Sequence, residues 1–316
     1  MQDNPHFQAT VTAVRDLIAT WPTPLRDHAL EFFERQLPGL PMQIITLLPY
    51  LVHELIPTPT AALAPLSEAH LLAAWYYHAQ DDLLDEQHDP TIMLGGHIAL
   101  LEAIRRYEGL GLATAACWPQ FFTLAERASQ AYTQEWLGRF GDVSELTAEK
   151  LEPFTLDFIG RRAAPLFFNT QAQLELAGIP PHDERVRQLL RLLEILNLSL
   201  QIGDDLGDWL ADLQAGHLNV VGAWLIRHHM ATYPEATFAD LSLEGLVGYQ
   251  LLHTGVWDEL EQTLAALYNE ARAILEPYGR SKLGQILETH IGRMANTWDE
   301  VRQRQVGIQA IFIGEE

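Results

Sequence analysis

The amino-acid sequence predicts an all-α protein, a single large helical bundle that spans residues 1–316. Leu, Ala, Glu and Gln are abundant, and apolar residues recur three and four positions apart, as in Leu71, Leu72, Trp75 and Tyr76. The sequence contains no convincing run of alternating apolar and polar residues bounded by hairpin turns. Because long apolar helices must bury their apolar sides against one another, we expect one domain with a shared core.

Proline and glycine residues mark the expected helix ends. They occur near positions 22–24, 38–41, 57–59, 90, 109–111, 178–181, 216, 234 and 277. The most apolar run, residues 40–55, contains Pro49 and His53, and no charge-free run reaches the roughly 18 residues of a membrane span. We therefore expect a buried core helix over residues 40–55 and no transmembrane segment.

The composition limits the classes of partner. Of the 316 residues, 48% are hydrophobic, which is enough for a substantial core, and the formal net charge is -22. This charge disfavours nucleic acids and anionic lipid surfaces as partners, and an anionic substrate would need bridging cations. The single cysteine, Cys117, excludes an internal disulfide bond, and the N-terminus has no signal-peptide pattern. We expect a cytoplasmic protein.

The first of two aspartate clusters follows an aromatic stretch that ends at Tyr77. Asp81 and Asp85 are four residues apart and Asp82 lies beside them, so the three carboxylates share about one helical turn. Carboxylates in this position are typical of a metal site at the mouth of an apolar cavity. A solvated helix end is the alternative, because Pro90 follows closely.

The second cluster is a ladder of three aspartates, Asp204, Asp208 and Asp212. Their spacing places all three on one side of a helix over about 12 Å. Like charges at this spacing destabilise an isolated helix, and carboxylates are costly to bury unless a cation neutralises them. The preceding turns are apolar, so the ladder is harder to explain as a set of solvated surface aspartates. It indicates instead a site for hard divalent metals, and hence for a diphosphate.

Together the two clusters resemble the class I isoprenoid synthases, which include the trans-prenyltransferases and the class I terpene synthases. Asp81, Asp82 and Asp85 match the DDxxD motif of that superfamily. The segment from Gln201 to Asp208 is similar to the second aspartate motif, in which a Gln precedes DDxxD, and the ladder also resembles the metal triad of terpene synthases. The resemblance implies the class I terpenoid synthase fold, a helical bundle around a central apolar cavity.

The resemblance also implies three Mg²⁺ ions that bridge both clusters and the diphosphate of a prenyl substrate. The six aspartates named above would be the metal ligands. The segment GRRAAPLF, which contains Arg161 and Arg162, resembles the KTAxLF segment of the family, and both arginines would bind the diphosphate. Arg293 and His217 are further diphosphate-binding candidates.

Two more side chains are candidates for the chemistry itself. The aromatic face of Tyr77, one turn before Asp81, could stabilise a carbocation. Gln201, three residues before Asp204, could orient a metal ligand or a water molecule. For both residues an ordinary place in the helical core is the alternative.

Departures from the family pattern distinguish its branches. Chain-elongating prenyltransferases bind a second diphosphate through basic residues near the N-terminus and after the first DDxxD, but residues 37–43 and 86–91 contain no Lys or Arg. We therefore expect a terpene synthase, a lyase that ionises one C15 or C20 prenyl diphosphate. Loss of diphosphate would be followed by cyclisation, deprotonation or water capture.

Two alternatives stay open at this point. The first is a trans-prenyltransferase, a short-chain prenyl diphosphate synthase that condenses isopentenyl diphosphate with an allylic diphosphate. The second is a non-catalytic subunit of a prenyl synthase, although such a subunit would be expected to have lost its aspartates. The resemblance also implies a homodimer.

Overall fold

The structure, a computed structural model, describes residues 2–84, 90–253 and 255–313. These residues form fourteen α-helices joined by short turns and 3₁₀ segments, with no β-strand among them. The helices are α1 (Pro5–Ala19), α2 (Leu25–Gln36), α3 (Leu40–Leu55), α4 (Thr60–Leu84), α5 (Ile92–Gly109), α6 (Trp118–Leu137), α7 (Ala148–Leu151), α8 (Leu156–Arg162), α9 (Phe168–Leu176), α10 (Glu184–Gln214), α11 (Val220–Thr232), α12 (Leu243–Leu252), α13 (Gly255–Leu275) and α14 (Lys282–Ile313). The all-α fold class is confirmed.

The helix ends follow the proline and glycine positions. The apolar run that was expected to form a core helix is α3, which begins at Leu40 and ends at Leu55, with ten of its sixteen side chains buried. No helix in the described part of the chain combines the length and the apolar character that crossing a membrane requires.

The chain divides into two compact units. The first comprises Met1–Ala125, Ala164–Leu190 and Ser281–Leu283, and the second comprises Glu126–Ala163, Arg191–Arg280 and Gly284–Glu316. The first aspartate cluster belongs to the first unit, and the ladder belongs to the second. That residues 1–316 form one domain stays a prediction.

In the first unit an aromatic cluster anchors α4. The Trp75 ring is fully buried and stacks on Trp21, with ring centroids 5.5 Å apart, and Phe33 lies 5.8 Å away. Gly96 of α5 faces Tyr76 so closely that an added Cβ would lie within 3.5 Å of its backbone. These contacts hold the middle of α4 in the core and leave its last turn, which carries the aspartates, at the edge of the unit.

In the second unit a buried polar cluster ties α10 to α13 and α14. The Ser199 hydroxyl is hydrogen-bonded to Tyr268 and, at 2.7 Å, to Nε2 of His290. One turn later Gly203 faces Met294 of α14, and an added Cβ would lie 3.1 Å from the methionine sulfur. Because all three polar groups are buried and satisfied by one another, the cluster fixes α10 just before its aspartates begin.

A glycine ends α10 and turns the chain towards α11. Gly216 has a φ of +77°, and the His217 N–H donates to the Asp212 carbonyl while the Gly216 N–H donates to the Leu213 carbonyl. This is the Schellman arrangement, in which glycine avoids the steric cost of a left-handed backbone. Three residues after Gly216, Asn219 caps the N-terminus of α11 by accepting the Gly222 N–H at 2.7 Å. The turn therefore places the start of α11 beside the last turns of α10.

We predict that Gly216→Ala destabilises the protein much more than Gly178→Ala. Both glycines end a helix in the same arrangement with a φ of +77°, so alanine should cost about 1–2 kcal/mol at either position. At Gly216 the new Cβ would also lie 2.0 Å from the Phe140 carbonyl oxygen, whereas nothing lies within 4 Å at Gly178. The clash should add about 1–3 kcal/mol. Urea unfolding of the two variants measures the difference, and equal losses would contradict the close approach to Phe140.

Candidate active site

The predicted ladder lies on α10, as expected, but its three aspartates differ in exposure. Asp204 and Asp208 are exposed, and Asp212 is half-buried near the helix end. Burial raises the pKa of Asp212, and the nearby carboxylate of Asp208 raises it further. Exposure to solvent therefore decreases along the ladder, from two exposed carboxylates to a half-buried one. The roles of all three as metal ligands stay predictions.

The most strongly perturbed carboxylate of this region is Asp205, which was not among the predicted ligands. It is half-buried, and its Oδ2 accepts the backbone N–H of Val220, the first residue of α11, at 3.0 Å. Burial raises the pKa of Asp205 to about 7, with Asp212 and Asp204 adding to the shift, against the opposing charge of Arg162. The carboxylate therefore exists near neutral pH as a mixture of ionised and protonated forms.

Asn219 connects the end of the ladder to α11. Its Nδ2 donates to Oδ2 of Asp212 at 2.7 Å and lies 3.4 Å from the Asp205 carbonyl oxygen. This hydrogen bond lowers the pKa of Asp212, as do the charges of His217 and Arg162. The predicted diphosphate residue His217 is half-buried in this group, directly after the turn at Gly216.

The structure separates the two arginines of the GRRAAPLF segment. The charge of Arg162 lowers the pKa of Asp205 and of Asp212, the last aspartate of the ladder. Its Nη1 is 3.3 Å from Oε1 of Glu135, and its guanidinium carbon is 5.2 Å from the centre of the Tyr132 ring. Arg161 instead forms an ion pair with Asp157 on its own helix, at 2.5 Å. The geometry thus favours Arg162 over Arg161 as the basic partner of the ladder.

Two other predicted residues of the second unit, Arg293 and Gln201, lie on α14 and on α10. Arg293 is exposed on α14; burial lowers the pKa of His290, and the charge of Arg293 lowers it further. Gln201 is half-buried on α10, less than one turn before Asp204. Their predicted roles in diphosphate binding and in catalysis stay predictions.

In the first unit Asp81 and Asp82 lie in the last turn of α4. Oδ2 of Asp82 is 3.4 Å from Nη2 of Arg35, whose guanidinium also covers the Phe32 ring at 5.2 Å. Burial lowers the pKa of His78, one turn earlier, and the two aspartates oppose that shift. Asp85 lies outside the described residues.

The tyrosine predicted to face a carbocation is half-buried in the same helix. Tyr77 contacts Tyr76 edge-on, with ring centroids 5.0 Å apart, and Tyr76 stacks on His97 of α5 at 5.7 Å. Burial raises the pKa of Tyr77, so this phenol stays protonated at physiological pH. Its role stays a prediction.

The available donors fit magnesium better than a metal that needs a ready-made cage. Among residues 2–84, 90–253 and 255–313, no three His, Cys, Asp or Glu side chains are placed to hold one ion by themselves. Mg²⁺ takes hard oxygen ligands, commonly one or two carboxylates together with substrate phosphate oxygens and retained water. Exposed aspartates such as Asp204 and Asp208 supply carboxylates for that partial set of ligands, and Arg162 supplies a positive charge for the phosphate.

We predict that Asp205→Asn removes a pH dependence from the stability of the metal-free protein. An unfolded aspartate has a pKa of about 3.9, so with a folded-state pKa of about 7 the protonated carboxyl stabilises the fold fully below pH 4. That contribution is lost as the pH rises through 7. Urea unfolding in EDTA at pH 4.5 and pH 8 should show the variant gaining on the wild type at pH 8.

The gain should be on the order of 1–3 kcal/mol, because one pKa unit corresponds to about 1.4 kcal/mol and solvent screens part of the effect. Asp208→Asn, an exposed carboxylate on the same helix, is the matched control and should change the pH dependence less. An Asp205→Asn variant that follows the wild type at both pH values would contradict the burial of this carboxylate.

Comparison with solved structures identifies the fold. A decaprenyl diphosphate synthase from Rhodobacter capsulatus matches with a TM-score of 0.69 and 15% identity, over 94% of this chain and 96% of that one. A geranylgeranyl pyrophosphate synthase from Lactobacillus brevis matches with a TM-score of 0.64 and 15% identity, over 92% and 96%. A geranylgeranyl pyrophosphate synthase from Corynebacterium glutamicum, complexed with isoprenyl diphosphate and magnesium, matches with a TM-score of 0.52 and 14% identity, over 90% and 94%. No protein-family profile and no curated protein matches the chain.

These comparisons correct the predicted activity. The prediction of a terpene synthase, and with it of a lyase, is wrong, because the three similar structures named above are prenyl diphosphate synthases and support the trans-prenyltransferase alternative better. That prediction depended on the lack of bases in residues 37–43 and 86–91. Arg35 lies just before the first of these segments and contacts Asp82, so a base is present beside the first motif. The superfamily resemblance is confirmed at the level of architecture: the chain has the class I isoprenoid synthase fold.

Proposed function

We propose that this protein is a Mg²⁺-dependent trans-prenyltransferase that condenses an allylic prenyl diphosphate with isopentenyl diphosphate. The observation that carries the proposal is the pair of half-buried aspartates on α10, Asp205 and Asp212, which are hydrogen-bonded to the start of α11 and whose pKa values the charge of Arg162 lowers. The fold supports the same reaction class, since a neighbour with this fold was solved with isoprenyl diphosphate and magnesium.

The charge distribution supports a cation-dependent substrate. With a formal net charge of -22, the chain repels a free diphosphate over most of its surface. Aspartates that collect Mg²⁺ reverse the sign of the potential locally. Bound Mg²⁺ would supply Lewis-acid neutralisation of the departing diphosphate. We assign Asp81, Asp82, Asp204, Asp208 and Asp212 as the residues that hold these ions.

Arg162 is proposed to bind the diphosphate of the allylic substrate. Its side chain is only 21% exposed, and Glu135 and the Tyr132 ring restrict its position. An arginine held in this way loses little conformational entropy when it donates two hydrogen bonds to a phosphate group. Glu135 forms an ion pair with the guanidinium at 3.3 Å, so a bound phosphate would share the arginine with this carboxylate.

Arg35 is proposed to bind the second diphosphate, that of isopentenyl diphosphate. It contacts the first motif through Asp82, and its side chain is 42% exposed. The aromatic face of Phe32 lies under the guanidinium and holds it by a cation–π contact. If a cation occupies Asp82, the arginine is released from its carboxylate partner and can turn to an anionic ligand.

The direct test is product analysis with purified protein, Mg²⁺, radiolabelled isopentenyl diphosphate and geranyl, farnesyl or geranylgeranyl diphosphate in turn. We expect the label in a prenyl diphosphate that is at least one C5 unit longer. Diphosphate release from the allylic substrate with no incorporation of label would overturn the proposal. Unreacted substrates in every combination would also overturn it and would favour a non-catalytic subunit.

Arg35→Gln refines this test. Removal of the proposed second base should raise the KM for isopentenyl diphosphate at least about tenfold, since a charge-assisted hydrogen bond contributes about 1.5–3 kcal/mol, and should leave the KM for the allylic substrate nearly unchanged. Arg26→Gln is the matched control, because Arg26 lies on the same helix and pairs with its neighbour Asp27. An unchanged KM for isopentenyl diphosphate would exclude Arg35 from this role.

A further inference from the structure

We propose that Asn219 is a positioning residue: its side-chain amide orients the Asp212 carboxylate for a divalent cation while its oxygen caps α11. The inference rests on the proposed metal–diphosphate site and extends it to a residue that is not itself a ligand. It gives the turn between α10 and α11 a role in setting the affinity for the cation.

Both polar atoms of the Asn219 side chain are engaged, each by a short hydrogen bond. Nδ2 donates to Oδ2 of Asp212 at 2.7 Å, and Oδ1 accepts the Gly222 N–H at 2.7 Å. An amide that is held at both ends has one orientation, so the position of its N–H is determined by the helix it caps. The hydrogen bond engages Oδ2 of the carboxylate, so a cation that approaches Asp212 meets Oδ1.

The backbone around Asn219 keeps this geometry in place. The tight turn at Gly216 leaves two residues between the turn and the cap, and the Gly216 carbonyl accepts the Phe140 N–H at 3.1 Å. The next residue, Val220, donates its N–H to Asp205 at 3.0 Å. The start of α11 thus binds both half-buried carboxylates of α10, one through backbone and one through side chain, at the helix end that favours negative charge.

Positioning of this kind changes metal affinity without changing the ligands. A carboxylate that accepts an amide N–H through one of its oxygens, as Asp212 does through Oδ2, is already oriented, so less rotational freedom is lost when a cation binds. The loss of such a partner typically weakens metal binding about 10–100-fold. In this protein the amide also offsets the repulsion from Asp208, which raises the pKa of Asp212.

The two functions of Asn219 can be separated by substitution. Serine is about as good a helix cap as asparagine, so Asn219→Ser keeps the bond from Gly222 but removes the amide N–H that faces Asp212. Asn4 provides the matched control, since it caps α1 by accepting the His6 N–H at 2.9 Å, and its described hydrogen bond involves no aspartate. Asn219→Thr, which is also a capping residue, replaces the serine variant if that variant does not fold.

The experiment follows Tm as a function of Mg²⁺ concentration at a fixed excess of inorganic pyrophosphate. We expect the Asn219→Ser variant to need at least about ten times more Mg²⁺ than the wild type for half of the rise in Tm. Its Tm without Mg²⁺ should fall, because the half-buried Asp212 carboxylate loses a hydrogen-bond donor, so the Mg²⁺ concentration at half of the rise is the quantity that is compared. Asn4→Ser should need the same Mg²⁺ concentration as the wild type. A serine variant that responds to Mg²⁺ like the wild type would overturn the inference.

This result can be distinguished from a failure of the proposed function. If the Tm of the wild type rises with Mg²⁺ and pyrophosphate but the protein does not extend any allylic diphosphate, the proposed transfer is overturned and the positioning role stands. If the wild type shows no rise in Tm with Mg²⁺ and pyrophosphate, both are overturned.

Discussion

The interaction on which the second unit depends is the contact of the α11 N-terminus with two half-buried carboxylates of α10. Asp205 takes a backbone N–H from Val220, and Asp212 takes the side-chain amide of Asn219. Partly buried acidic groups on one helix repel each other and cost free energy. The positive end of a helix compensates part of that cost without a neutralising side chain. The short turn at Gly216 joins α10 to α11 and places the N-terminus of α11 beside the two carboxylates.

The same contact explains how a site for an anionic substrate can form in an acidic protein. Asp204 and Asp208 are exposed, whereas Asp205 and Asp212 are half-buried and hydrogen-bonded to the start of α11. Asp212 is therefore fixed by the fold and is also one of the carboxylates assigned to the cations. Arg162 supplies a positive charge that lowers the pKa of both half-buried aspartates while it is paired with Glu135 at 3.3 Å. In the account proposed here, stable packing and diphosphate binding use the same group of charges. A change at the turn would therefore be felt in both.

The helices could be predicted from the sequence because their signals are local. Proline and glycine positions and apolar spacing predict the ends of α3 correctly, and they predict that the ladder is helical. The sequence favours Arg162, which stands in place of the lysine of the KTAxLF segment, but it keeps Arg161 as a second candidate because both lie in the GRRAAPLF segment. They differ because neighbours on a helix point about 100° apart, so that Arg161 meets Asp157 and Arg162 meets Glu135.

The residues that were missed act through the fold. Asp205 does not belong to the i, i+4, i+8 ladder, and its importance comes from Val220, which only the turn brings close. Asn219 carried a signal, since an asparagine after a glycine and before an apolar run is a typical helix cap, but its second bond is tertiary. The wrong activity arose from a search for bases in two short segments. Arg35 lies outside both and meets Asp82 through packing of α2 and α4.

The central claim is that the α10 ladder and Arg162 together bind cations and a diphosphate. The most direct measurement is anomalous diffraction from crystals grown with Mn²⁺ and inorganic pyrophosphate. We expect anomalous peaks at the carboxylates of Asp204, Asp208 and Asp212, with a phosphate group within hydrogen-bonding distance of Arg162. Bound pyrophosphate away from Arg162, or a ladder with no anomalous peak, would contradict it.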